Sequence, residues 1–300
     1  MSAAQPTTAG PGAFLPEPME GESAVPRLLV RILSAADDLR AARPDAVPVA
    51  FWDFDGTLIE GDCSEGLLRA DGQGFPGLVE VAMMRGFSAQ YAGGGALEHF
   101  QEDVRRTWQT EGFAVANGYI VQAFAGAREE ALRTLARQHF AEVMGAWMYR
   151  EALDIWRGLE RAGVRNHVIS ASADFFVKGA AETLGAAEEH LHGIRLVAGP
   201  DGLLTREILA PLTHGEGKAT RMREVLTKLA AQEPRSTFWP VAAFGNHLIT
   251  DGPLLQAVAE FALPAGAPVG VLINGGASSS SQFHDIDFAP RDMRTQAENP

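Results

Sequence analysis

Cysteine is almost missing: Cys63 is the single one in 300 residues. An internal disulfide is therefore excluded, and the chain must be held folded by an apolar core rather than a covalent framework. Basic residues are in deficit, 25 Lys and Arg against 38 Asp and Glu, for a formal charge of −13. That balance argues against a nucleic-acid partner or an anionic membrane surface, because a polyanion is repelled unless a local basic patch exists, and none is visible. No run approaches the roughly 18 apolar residues needed to span a bilayer. The first twenty residues contain neither a basic start nor an apolar h-region, so a soluble, cytoplasmic protein is expected.

Hydrophobic residues make up 46% of the chain and charged ones 21%, enough for one large α/β domain with a smaller accessory domain. Residues 1–24 are rich in Pro, Gly, Ala and Ser, and the stretch 275–300 is polar and of low complexity; both are expected to be flexible. Between them, four apolar runs read as strands: 47–52, 164–170, 238–244 and 269–273. Helical patterns separate them, at Leu153–Ala162 ending on Gly163 and at Lys218–Leu229 before Pro234. This βαβ rhythm implies a parallel sheet with functional residues at the carboxyl ends of its strands.

From Asp62 to about Met148 the pattern changes to Leu, Phe, Trp and Met at helical spacing, through 96–108, 115–124 and 128–144, which predicts a helical insert between the first two strands. Residues 190–209 read as two short strands around the turn Pro200-Asp201-Gly202. The Gly93-Gly94-Gly95 run has no strand before it and no Lys-Ser/Thr after it, so it reads as a helix-to-helix loop rather than a phosphate loop.

The string Asp53-Phe-Asp55-Gly56-Thr57 follows directly on the first strand. Two carboxylates one residue apart at a strand end reach the same crevice if the backbone turns, and Gly56 permits the turn. One carboxylate then suits attack on phosphorus while the other acts as acid and base. Downstream, Ser170 ends the second strand, a position at which a serine by itself most often caps the next helix. Lys218 opens the later helix in Gly217-Lys218-Ala219; by itself a lysine there is normally a solvated charge. A fourth segment, Gly245-Asn246-His247 through Asp251, follows the third strand.

These four segments, in this order across residues 53–251, resemble the motifs of the haloacid dehalogenase superfamily. The resemblance implies a Rossmann-like, three-layer α/β core with a parallel sheet and Mg²⁺ as cofactor. By the same resemblance Asp53 is the nucleophile, Asp55 the acid and base, Ser170 and Lys218 catalytic partners, and Gly56, Thr57 and Ala171 substrate-binding positions. Metal ligands would be Asp53, Asp55 through its carbonyl, Asn246 and Asp251. Asn246 departs from the pattern, which has Asp there; an amide oxygen still suits Mg²⁺ but brings no negative charge. Asp55 steers away from dehalogenation, because dehalogenases of the superfamily lack an acid at that position.

The helical insert is similar to the C1-type caps of phosphoserine phosphatase-like members. On that basis the chain divides into a core of residues 25–61 and 150–274 and a cap of residues 62–149. Asp62 stands nine residues after Asp53, where phosphoserine phosphatases carry a Glu that receives the substrate ammonium. It reads equally as the N-cap of a helix over Cys63–Leu68, with Glu65 completing a capping box. A phosphoserine carboxylate would need a cation, for which Arg85, Arg105, Arg106 and Arg128 are candidates. Trp108, Phe113, Tyr119, Phe124, Trp147 and Tyr149 belong either to a cation–π pocket or, more simply, to the core of the cap. Neither His247 nor Cys63 has a partner that would give it a defined role.

The expected activity is therefore Mg²⁺-dependent hydrolysis of a small phosphorylated metabolite through an aspartyl-phosphate. An amino-alcohol phosphate such as phosphoserine or phosphocholine is the expected substrate type. A phosphotransferase using the same intermediate and a non-catalytic binding or regulatory protein with this fold are the alternatives.

Overall fold

The computed structural model describes residues 24–275 and 283–289. The terminal stretches expected to be flexible lie largely outside the described residues. In chain order come α1 (Ala24–Ala42), β1 (Ala46–Trp52), β2 (Gly66–Leu68), β3 (Gly74–Pro76), α2 (Leu78–Met84), α3 (Ala96–Glu111), α4 (Phe113–Gln122) and α5 (Glu129–Glu142). They are followed by α6 (Arg150–Arg161), β4 (Arg165–Ala173), the one-turn helices α7 (Asp174–Val177) and α8 (Ala181–Leu184), β5 (Leu191–Ala198) and β6 (Leu204–Leu209). The chain then continues through α9 (Glu216–Gln232), β7 (Thr237–Gly245), α10 (Leu248–Ala259), β8 (Val269–Ile273) and β9 (His284–Ile286).

One seven-stranded sheet runs in the order β6-β5-β4-β1-β7-β8-β9. All its pairings are parallel except that of β5 with β6. β1 is central and buried on both faces, as its unbroken apolar run requires. Its odd positions Val49 and Phe51 pack with Met222, Val225 and Leu229 of α9 and with Leu254 and Val258 of α10. Its even positions Ala50 and Trp52 join Leu28, Ile32 and Leu39 of α1 and Ile155 and Trp156 of α6. Helices on two faces of a largely parallel sheet give the three-layer α/β core that the sequence implied.

α1 was not resolved as an element in the sequence. Its fully buried Leu28, Ile32 and Leu39 recur at helical spacing, and burying each contributes roughly 1.5–3 kcal/mol. A second difference is the β2–β3 hairpin inside the insert, whose strands of three residues are too short to display an alternating pattern. A third is β9, which lies within the segment read as a polar tail and pairs in parallel with β8. Ile286 and Phe288 anchor it, each buried.

Between β1 and β4 the chain forms α2 to α5, with Phe100, Ile120, Val121, Leu132 and Phe140 of these helices buried. Gly93-Gly94-Gly95 links α2 to α3 as a loop, and Gly95 precedes the first residue of α3. The link from α4 to α5 is stitched to β6: Gly126 N–H donates to Leu204 O at 2.7 Å and Leu204 N–H to Ala127 O at 2.9 Å. Tyr91, Tyr119 and Asp103 form a hydroxyl–carboxylate cluster, with Tyr91 Oη donating to Asp103 Oδ2 at 2.7 Å. Gln90 joins that cluster to Arg206 of β6.

Candidate active site

Asp53 extends β1 by one residue, its N–H donating to Phe244 O of β7 at 2.8 Å. It continues the odd side of the strand, toward α9, and there it meets Lys218. Lys218 Nζ lies 2.5 Å from Asp53 Oδ1 and 2.6 Å from Asp251 Oδ1. The ammonium is 1% exposed and Asp251 not at all. Burial alone would lower the Lys218 pKa, but the Asp251 and Asp53 carboxylates outweigh it and hold the group charged. Asp53 itself is pushed up to about 7, by burial first and by the Asp251 charge second, against the pull of Lys218.

Asp55 is held by three donors. Cys63 N–H reaches its Oδ1 at 2.6 Å, and the hydroxyls of Ser172 and Ser170 reach its Oδ2 at 2.8 and 3.2 Å. Its pKa is nonetheless raised to about 8, by burial and then by the neighbouring charges of Asp62 and Asp53. A carboxyl still protonated near neutrality is what an acid that protonates a leaving oxygen requires.

Asp53, Asp55, Gly56, Asp62, Ala171, Lys218 and Asn246 all line one cavity of about 800 Å³. The strand ends supply its floor, and α3 and α4 supply a wall. Gly56 adopts φ +70°, and a Cβ there would overlap the Asn246 amide. A side chain here would be strained by the backbone angle and would have to displace the Asn246 amide from the cavity edge.

Three of the expected site residues lie behind the cavity lining, each bonded to a group of the site. Thr57 is fully buried, and its hydroxyl donates to Asp53 Oδ2 at 3.2 Å instead of lining the cavity. Ser170 is also fully buried, shared between Asp55 and the N–H of Ser172. Ser172, two residues further along β4, lines the cavity; the alternation of a strand puts both serines on one side and does not choose between them. Asp251 is committed on both oxygens, Oδ1 to Lys218 and Oδ2 to the N–H groups of Asn246 and His247 at 2.9 and 3.0 Å. It positions the lysine and the loop after β7, and it is not among the residues that line the cavity.

Asp62 is not a helix cap. Residues 62–65 form a turn leading into β2, and Asp62 Oδ1 accepts the N–H groups of Ser64 and Glu65 at 2.7 and 2.9 Å. Thr213, unremarked in the sequence, is fully buried and donates to Ser170 O at 2.6 Å, tying the approach to α9 onto the end of β4. Trp108 and Phe113 line the cavity, whereas Phe124, Trp147 and Tyr149 are buried core and Tyr119 belongs to the Tyr91–Asp103 cluster. Arg106 pairs with Asp103, and Arg128 donates to Asp201 O. Among the described residues lining the cavity, Lys218 is the only Lys or Arg. His247 lines it too and accepts the Ile249 N–H through Nδ1 at 3.3 Å, capping α10.

Two carboxylates, Asp53 and Asp251, share the one ammonium, two more, Asp55 and Asp62, lie on the same cavity without it, and burial raises the pKa of Asp53, Asp55 and Asp62. Such a cluster is short of positive charge. Asp53, Asp55 and Asn246 all line the cavity, and a carboxylate, a backbone carbonyl and an amide oxygen are hard donors of the kind that suit a small divalent ion keeping several waters.

The family model for haloacid dehalogenase-like hydrolases matches residues 50–256. No curated protein matches the sequence. Among solved structures, the chain is similar to a protein of unknown function from Bordetella pertussis Tohama I, with a TM-score of 0.61 and 16% identity over 81% of this chain and 99% of that one. It is also similar to cytosolic 5′-nucleotidase IIIB bound to cytidine, with a TM-score of 0.57 and 14% identity over 90% and 87% of the two chains. A functionally unknown protein from Anaerococcus prevotii DSM 20548 gives a TM-score of 0.52 and 17% identity, covering 86% of each chain. At such identities the likeness is one of fold. Among the described residues, no helix is long and apolar enough to cross a membrane.

Proposed function

Because the chain belongs to the haloacid dehalogenase-like hydrolases, we propose that it is a phosphatase that cleaves a small phosphomonoester through an aspartyl-phosphate on Asp53. The observation that carries this reading is the pairing of Asp53 with the buried Lys218 in the cavity where Asp55 also lies. Asp53 attacks phosphorus in line, a P–O bond to its carboxylate forms, and the bond to the leaving oxygen breaks. Asp55 gives its proton to that oxygen. It then takes a proton from the water that attacks phosphorus, which releases inorganic phosphate and restores Asp53. Since three donors hold the Asp55 carboxyl, the leaving oxygen must displace a serine hydroxyl from Oδ2, and Ser172, on the cavity wall, is the one placed to yield.

Asp53, the Asp55 carbonyl and Asn246 would hold Mg²⁺, which when bound offsets the negative charge of the phosphoryl oxygens. Lys218 neutralises Asp53 before attack and the transferring group during it. Asp251 acts by fixing Lys218.

Asp62 and Glu65 on the same cavity wall suit a substrate that carries an ammonium group. Of the amino-alcohol phosphates, one of the phosphocholine type is served better than phosphoserine. The phosphoserine carboxylate finds no Lys or Arg beyond Lys218 among the described lining residues, and Lys218 is already shared by two carboxylates.

The test is turnover of p-nitrophenyl phosphate in Mg²⁺ by the parent and by Asp53→Asn. Turnover should be abolished in the variant. Undiminished turnover would overturn the assignment of Asp53.

A further inference from the structure

The cavity is lined unevenly. Polar and charged groups come from the strand ends and the loops after β1 and β7, while α3 and α4 contribute Val104, Trp108, Phe113, Ile120 and Val121. Ile249, on the first turn of α10, adds a further apolar side chain. Three of these are left in water: Trp108 is 55% exposed, Phe113 47% and Ile249 68%. They are not scattered surface residues, because all three belong to one cavity that also contains the candidate nucleophile. Trp108 and Phe113 meet edge to face, ring centroids 5.9 Å apart, and Phe113 in turn lies against His214 of the core, at 5.5 Å. The aromatic pair thus bridges the insert and the core at the cavity.

An apolar wall of this kind serves no purpose for a phosphoryl group, which needs donors and positive charge. Nor would a compact alcohol such as that of phosphoserine fill it, since a cavity of about 800 Å³ is of the size that encloses drug-sized ligands and leaves room for an apolar extension beyond a choline-like head. An anionic leaving group is disfavoured twice, by the acids Asp62 and Glu65 on the wall and by the lack of a free cation among its described residues.

Resting on the phosphatase reading, we propose that the substrate is a phosphomonoester whose leaving alcohol carries an extended, non-anionic apolar group, seated between Trp108 and Phe113 of the insert and Ile249 of the core. These three side chains are then the residues that determine specificity. Their removal from water on binding is the source of discrimination, and the reacting atoms at Asp53 see the same phosphoryl group whatever the alcohol.

Alkyl phosphates test this directly, because leaving groups of equal basicity differ only in what they bury. The parent protein is assayed in Mg²⁺ with ethyl phosphate, hexyl phosphate and 5-carboxypentyl phosphate, with p-nitrophenyl phosphate as the general substrate. Hexyl phosphate should exceed ethyl phosphate in kcat/KM by roughly 200-fold, the effect of burying four methylenes. The carboxylate analogue should fall at or below ethyl phosphate. In Trp108→Ala and Ile249→Asn the ratio of hexyl to ethyl phosphate should shrink by about tenfold; both side chains are more than half exposed, so neither change opens the core. Equal kcat/KM for hexyl and ethyl phosphate, or a carboxylate analogue as good as hexyl phosphate, overturns the inference and leaves the phosphatase reading standing. No turnover of any of the four esters overturns the phosphatase reading, and this inference falls with it.

Discussion

Replacing Lys218 by Met keeps the length of the aliphatic stem and removes the ammonium, the one positive charge between Asp53 and Asp251. In the parent, that ammonium makes contacts of 2.5 and 2.6 Å with two carboxylates, all three groups being nearly or fully buried. Breaking a buried ion pair from one side costs about 3–5 kcal/mol, because the remaining charges lose their compensation. The cost should depend on pH. Asp53 already has a native pKa of about 7, above its ordinary 3.8, and losing Lys218 raises it further. A carboxyl with a raised native pKa binds protons in the folded state that the unfolded chain does not, so stability is full at low pH and lost as pH rises. Urea unfolding of Lys218→Met should therefore show a larger deficit at pH 8 than at pH 6. Turnover of p-nitrophenyl phosphate should drop by about 10²–10³, the usual effect of removing one preorganised electrostatic partner. Adding Asp251→Asn to Lys218→Met should restore part of the stability, so that the double variant is less destabilised than the sum of the singles by about 0.5–3 kcal/mol. Turnover within tenfold of the parent, or a deficit that shrinks as pH rises, would refute the reasoning.

Asn246→Asp adds a carboxylate to the donors facing the cavity, and the Mg²⁺ concentration for half-maximal turnover should fall about tenfold; an unaltered Mg²⁺ titration removes Asn246 from the donor set. On β4, beside Phe51 of β1, His167 is buried, with His192 Nε2 at 3.4 Å from its Nδ1. Burial, with help from the neighbouring His190 and His192, lowers its pKa to about 2, and burial with nearby cations lowers that of His192 to about 3. Below about pH 6.5 the unfolded chain gains protons that these rings refuse, so stability is full above that pH and falls by up to about 1.4 kcal/mol per pH unit for each ring on acidification. His167→Phe should flatten the decline between pH 6 and pH 4 in urea unfolding; an unchanged slope would assign the acid sensitivity elsewhere.

The catalytic strand was legible because β1 is buried on both faces, and a run such as Val49-Ala50-Phe51-Trp52 ending in acids has few other readings. The helical insert was legible from spacing alone. Side-chain direction was much less so. Ser170 and Ser172 lie on the same side of β4, and only the packing of Asp55 against both decides which hydroxyl faces the cavity. Asp251 matched its motif position, but its role depends on two backbone N–H groups, those of Asn246 and His247, that no sequence pattern reports. Asp62 looked like a cap because its side chain does bind the N–H groups two and three residues on. The same local bonds close a turn as readily as they open a helix, and Gly66 leads the chain into a strand. β9 was hidden because its two anchors sit among acids, and its strand exists only where β8 offers an open edge.

The stitching of the α4–α5 link onto β6 has a consequence for how safely this chain folds. β6 is the last strand of the sheet on its side, and such an edge presents N–H and C=O groups on which another copy can grow. Here Gly126 and Ala127 occupy those groups at Leu204, from residues some 80 positions earlier in the chain. Until the two segments meet, the edge is open; once they meet, the insert that carries the apolar wall also acts as the guard against aggregation. A deletion that trims the insert to widen the cavity would therefore expose a template for intermolecular β-pairing, and loss of solubility should precede any loss of the sheet itself.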